Sequence, residues 1–88
     1  MIKKKVKCPC CGCYTIPQGT KENYPTDGYI CEVCFWEIDE FISSDDEWND
    51  VNGLTLNEAR ENYKVFGSVN RKYLGKVRKP TDEEKYNK

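Results

Sequence analysis

Cys8-Pro9-Cys10-Cys11-Gly12 and, with nineteen residues between Cys11 and Cys31, Cys31-Glu32-Val33-Cys34 are the two stretches whose reading decides the fold. Two residues between the cysteines of a pair let both sulfurs turn onto one ion, and four thiols from two such turns suit a tetrahedral zinc. The chain has no histidine, so a four-coordinate protein site must be built from thiolates alone. Such an all-thiolate set is closed, with a formal charge of about −2 including the ion. It leaves no coordination position to activate water, which argues against metal-assisted hydrolysis.

The first cluster can be read in two registers. Cys8 pairs with Cys11, or Cys10 pairs with Cys13, and either pair combines with Cys31 and Cys34. Pro9 inside the first pair and Gly12 directly after it suit a tight turn, because proline restricts φ and glycine accepts a positive one. The favoured ligands are therefore Cys8, Cys11, Cys31 and Cys34, with Cys10 and Cys13 left as neighbouring thiols. Packing near the metal, alternative ligation and redox reactivity all stay open for those two.

At 88 residues the chain forms one domain. A domain of that size buries only about 60% of its unfolded surface, and zinc bound to thiolates supplies on the order of 10 kcal/mol to make up the deficit. The lysine-rich start has no apolar run behind it, so no export signal is expected, and no stretch is long enough to span a bilayer. A cytoplasmic setting follows as an expectation, and there six cysteines point to metal rather than to disulfides. The net charge is only −1, but its distribution is uneven. Residues 1–7 carry four lysines, residues 71–79 carry five bases, and residues 37–50 carry seven acids and no base. The overall balance is not that of a nucleic-acid-binding domain.

Outward from the cysteines, residues 3–7 read as an edge strand with Ile2 and Val6 as its apolar side chains. Asp27-Gly28 is a turn signal, and Tyr29-Ile30 reads as a strand entering the second cysteine turn. Phe35, Trp36, Ile38, Phe41 and Ile42 read as apolar cover for the metal. Asp45, Asp46, Glu47 and Asp50 surround Trp48 in a stretch without periodicity, which reads as a surface loop. Thr55 with Glu58 forms a capping-box pattern, Leu56, Ala59, Tyr63 and Phe66 form one stripe, and Gly67 is placed to stop the helix. Residues 71–79 are either a short helix or an irregular return. Residues 1–80 are thus expected to form one zinc-binding domain and residues 81–88 a charged, fraying tail, although Thr81-Asp82-Glu83-Glu84 could cap one more helical turn. The fold expected is a small α+β domain with zinc-ribbon-like knuckles, short antiparallel β-hairpins and a helix at about 56–66.

Several of these segments together resemble the bacterial cysteine-rich CPCC family. They are residues 8–12, residues 29–37 with Cys31-Glu32-Val33-Cys34-Phe35-Trp36 at their centre, the helix from Leu56 with Phe66-Gly67, and Val77-Arg78-Lys79-Pro80. The resemblance covers most of the chain in order and implies a small zinc-ribbon-like protein of unassigned biochemical role. One departure is Cys13, where the family commonly has an aromatic or another residue that is not cysteine.

Three functions are compatible with these features. The first is a non-catalytic protein-interaction module held by zinc, with Asp45, Asp46, Glu47, Trp48 and Asp50 as the partner-binding patch for a basic protein. The second is a nucleic-acid-binding zinc ribbon using residues 3–7 and 71–79 with Tyr14 or Tyr73 for stacking. The third is a thiol redox or zinc-handling protein using Cys10 and Cys13. The first is the favoured expectation, with no enzyme activity and no membrane contact.

Overall fold

Val6 and Ile16 face each other across the first antiparallel pair, and that pairing begins the scaffold for the cysteine turns. The computed structural model describes residues 5–20 and 24–86. Strand β1 (Lys5–Lys7) pairs with β2 (Tyr14–Pro17), and the alternation that buries Val6 leaves Lys5 and Lys7 exposed. The remainder of the expected edge strand, with Ile2 and Lys3, lies outside the described residues.

The Asp27-Gly28 turn is present, with Gly28 at φ +80° and its N–H donating to the Ile38 carbonyl at 2.8 Å. Tyr29-Ile30 does not become a full strand. Its pairing with the returning chain is a single bridge between Ile30 and Glu37. The neighbouring ladder position is taken by a side chain: Asn52 Oδ1 accepts from the Glu37 N–H at 2.8 Å, and Asn52 Nδ2 donates to the Glu37 carbonyl at 2.9 Å. The amide of Asn52 thus stands in for a strand's peptide group.

Asn49 holds Asn52 in that position. Its Oδ1 accepts from the backbone N–H and the Nδ2 of Asn52 at 2.8 and 2.7 Å, while its Nδ2 donates to Asp39 Oδ2 at 2.8 Å. Asn49 is buried, and the donors and acceptors of its amide are satisfied as burial requires. It lies on strand β3 (Trp48–Asn49), which pairs with β4 (Leu54–Thr55) through the registers Trp48↔Thr55 and Asn49↔Leu54. The acidic stretch read as a surface loop therefore closes in a short hairpin. Two residues per strand are too few for alternation to register in sequence.

Helix α1 (Leu56–Phe66) starts and stops where the side chains direct. Glu58 N–H donates to Thr55 Oγ1 at 3.1 Å and Thr55 N–H to Glu58 Oε1 at 2.8 Å, a complete capping box. Gly67, at φ +88°, ends the helix with its N–H on the Tyr63 carbonyl. Leu56 and Ala59 are fully covered, and Tyr63 packs partly buried against the same core. A 3-10 helix over Arg71–Lys76 follows, capped by Asn70, and resolves the basic stretch.

A second helix, α2 (Asp82–Tyr86), lies beside β2 where the sequence reading placed the beginning of a charged tail. Thr81 and Glu84 form a second capping pair, and Arg78 clasps Glu84 through two bonds of 2.8 and 2.7 Å. The Arg78 guanidinium holds the Glu84 carboxyl down at about 2. The same Arg78 reaches Glu32, next to the second cysteine turn, at 3.2 Å.

The core gathers Ile16, Val33, Trp36, Ile38, Leu54, Leu56, Ala59 and Val69 around the cysteines. Of the apolar residues expected to cover the metal, Trp36 and Ile38 are buried, Phe35 and Ile42 half-buried, and Phe41 is 78% exposed. The turn explains Phe41: its N–H bonds back to Asp39 Oδ1, and the Glu40 N–H is held by Asp27, so the chain swings outward there. Among the described residues no helix is long and apolar enough to cross a membrane.

Replacing Asn52 with alanine removes both side-chain bonds to the Glu37 peptide group and one of the two bonds to Asn49 Oδ1. The expected loss is about 2 kcal/mol, against about 1 kcal/mol for Thr55→Ala, where only a cap is removed. Chemical denaturation of the metal-loaded protein measures both.

Candidate metal centre

The two cysteine turns are built alike despite different residues. In the first, the Gly12 N–H donates to the Cys8 carbonyl at 2.9 Å and the Cys8 N–H to the Cys13 carbonyl at 2.8 Å. In the second, the Phe35 N–H donates to the Cys31 carbonyl at 2.8 Å and the Cys31 N–H to the Trp36 carbonyl at 3.0 Å. Both turns place the residue after the second cysteine in the left-handed region, Gly12 at φ +76° and Phe35 at φ +72°. Glycine is at ease there, whereas a residue with a Cβ is strained by roughly 1–2 kcal/mol. Phe35 offsets part of that cost by stacking on Tyr73 of the 3-10 helix, with centroids 4.2 Å apart and planes at 24°.

These matched turns bring Cys8, Cys11, Cys31 and Cys34 together, with all four sulfurs within 4.8 Å of one another. Cys8 Sγ lies 3.6 Å from Cys34 Sγ, and Cys11 Sγ lies 3.7 Å from Cys31 Sγ. A tetrahedron with metal–sulfur bonds of about 2.3 Å has edges of about 3.8 Å, so the spacing fits one ion. The distances are far too long for disulfides, and all six cysteines are free. Cys8, Cys31 and Cys34 are fully buried and Cys11 half-buried. The site faces the core rather than a cleft.

Four sulfurs at such distances cannot all be charged without a cation. Cys11 is held well above the ordinary thiol range by hydrogen bonding with Cys31 foremost, and Cys34 by bonds with Cys10, Cys11 and then Cys31. Cys31 is held well below it, because it accepts first from Cys11 and then from Cys34 and Cys8. Thr15 Oγ1, 3.0 Å from Cys31 Sγ, favours the same thiolate. A dipositive ion among them is what allows all four to be thiolates.

Backbone carbonyls of the turns are held from the second half of the chain. Arg60 Nε donates to the Pro9 carbonyl at 2.9 Å, the Val69 N–H to the Cys34 carbonyl at 2.8 Å, and the Arg78 N–H to the Glu32 carbonyl at 3.1 Å. Reading the sequence did not pick out Thr15 or Arg60. Thr15 carried no signal beyond its place two residues after Cys13, and Arg60 looked like an ordinary exposed helix residue.

Cys10 and Cys13 are buried but lie outside the four-sulfur group. Burial above all pushes the Cys13 thiol up, and its Sγ rests 3.9 Å from the Cys11 carbonyl. The acidic residues singled out in sequence are not among the clustered ligands, and each is engaged by another side chain. Asp45 pairs with Arg60 at 2.7 Å, Asp46 accepts from Asn57, Glu47 accepts from Ser43, and Asp50 accepts from Trp48 Nε1. Trp48 itself stays 59% exposed.

The sequence model of one protein family, described as cysteine-rich CPCC, matches residues 6–84. That span holds both cysteine turns, α1 and the Arg78–Glu84 clasp. No solved structure matches the chain.

Single Cys→Ser changes at Cys8, Cys11, Cys31 or Cys34 are expected to abolish one-to-one metal binding, whereas Cys10→Ser and Cys13→Ser keep it; metal analysis after gel filtration reads the difference. Phe35→Gly is expected to be more stable than Phe35→Ala by about 1 kcal/mol, although it removes one more carbon, because only glycine relieves the left-handed strain. Denaturation of the two metal-loaded variants checks the order.

Proposed function

The chain belongs to the cysteine-rich CPCC family, and from its buried four-sulfur cluster we propose that it is a zinc-held protein-interaction module without catalytic activity. Tetrahedral thiolate sets select zinc or iron, and zinc is the member that serves as an inert structural centre. Cys8, Cys11, Cys31 and Cys34 would hold it, and when bound it supplies neutralising charge and a cross-link between the two turns. The protein's own residues do the rest. Trp36, Val33 and Ile38 keep water away, and Thr15 steadies Cys31. The single observation carrying this reading is the closed, buried sulfur set, which presents no open position to a substrate.

If the centre is structural, activity resides on the surfaces that it holds. The bonds of Asp45, Asp46, Glu47 and Asp50 fix an acidic surface around exposed Trp48, which suits a basic polypeptide. Fixed side chains lose little entropy on binding. The bases available to a nucleic acid are fewer than the sequence suggests, because Arg78 is committed to Glu32 and Glu84. A reducing compartment, the cytoplasm, keeps such thiols competent for metal.

Capture of a polypeptide from the native cell is expected with the metal-loaded protein and not after chelation, and Trp48→Ala or Asp50→Lys is expected to lower it about tenfold. Retention of nucleic acid in place of polypeptide, weakening steeply with salt, would refute the reading. Acidification is expected to release the ion, because protons compete for the four thiolates. Affinity should fall by at least about tenfold per pH unit below the thiol range, as followed with a chromophoric zinc indicator.

A further inference from the structure

Next to the first cysteine turn the surface opens into a groove with a cavity volume of about 240 Å³. Trp36 and Leu56, both buried, form its floor, and Pro9, Pro25, Ile38 and Ile42 form its walls. Pro9 lies between Cys8 and Cys10, and its carbonyl is held by Arg60, so the metal-bearing turn is itself a wall of the groove. The volume is below the roughly 300–1,000 Å³ of small-molecule sites and suits one inserted side chain.

Among the described residues the charged side chains that line the rim are acidic, Asp39, Glu40 and Asp45, with Arg60 behind it bonded to Asp45 and to the Pro9 carbonyl. Asp39 is engaged by Asn49, and Asp45 by Arg60. The Glu40 carboxylate has no hydrogen bond or ion pair among the described residues, and exposed Phe41 follows it directly. An apolar floor under a free carboxylate rewards an occupant that is aliphatic at its tip and cationic beside it. An acidic segment is repelled by the same rim.

Resting on the interaction-module reading above, we propose that this groove receives one aliphatic side chain of a partner polypeptide, with an adjacent lysine or arginine paired to Glu40. Residues 37–50, with seven acids and no base, extend the complementary field beyond the groove. Binding and metal are thereby linked, because removing the ion releases the turn that carries Pro9.

The test uses the full zinc-loaded chain and a fluorescein-labelled peptide with one central leucine flanked by lysines in a Gly/Ser background, read by anisotropy. Glu40→Lys is expected to weaken binding about tenfold and Ile42→Ala about fivefold, as is replacement of the peptide leucine by serine, while the same charge reversal at exposed Glu83 of α2, outside residues 37–50, changes it less than about twofold. Equal weakening by Glu40→Lys and Glu83→Lys, or indifference to the leucine, overturns the groove in favour of diffuse attraction. So does sedimentation showing a second copy of the chain occupying the groove without peptide. Should Ile42→Ala not fold, Glu40→Lys and the peptide change still decide. The two readings fail separately: a captured polypeptide that needs Trp48 and Asp50 but ignores Glu40 and Ile42 leaves the module standing and removes the groove.

Discussion

The structure depends on one electrostatic constraint: four sulfurs lie close enough that their charges cannot coexist without a cation among them. Hydrogen bonding within the group raises the Cys11 and Cys34 thiols above their ordinary range and lowers Cys31 below it. In most domains the centre is apolar and its stability comes from excluded water. Here Val33, Trp36 and Ile38 surround a polar nucleus, and their burial depends on the two turns staying together. A core of this size offers little to replace that cross-link.

The pairing of the turns shows how one geometry tolerates two chemistries. Gly12 and Phe35 hold the same backbone conformation and the same N–H to carbonyl bond, yet only Gly12 suits it intrinsically. Phe35 is retained at a strained position where its ring lies against Tyr73, which attaches the 3-10 helix to the second turn. Strain at one residue is thus exchanged for order in a basic segment that buries no side chain fully.

Much of this was legible in the residues. The two-residue cysteine spacing, Pro9 with Gly12, the Thr55–Glu58 box and Gly67 are local signals, each acting within four or five positions, and local chemistry decides them. What sequence reading missed acts over distance. Asn52 substitutes for a strand across fifteen positions, Arg60 reaches Pro9 across fifty-one, and Arg78 joins Glu32 to Glu84. Such contacts carry no periodicity, and their residues look like ordinary turn or surface side chains. Phe41 was misjudged for the opposite reason: it has the composition of a core residue, but backbone bonds to Asp39 and Asp27 carry its neighbourhood outward.

The donors that fasten the turns have a temporal implication. All four clustered sulfurs belong to the first 34 residues, whereas the groups bonded to the carbonyls of Pro9, Cys34 and Glu32 come from positions 60, 69 and 78. On the ribosome, at about 5–20 residues per second, several seconds separate the incorporation of Cys34 from that of Arg78. For that interval the nascent chain presents the ligands without their backbone clamps. An ion taken up then would be held by sulfur alone, without the bonds that fix the turns around it.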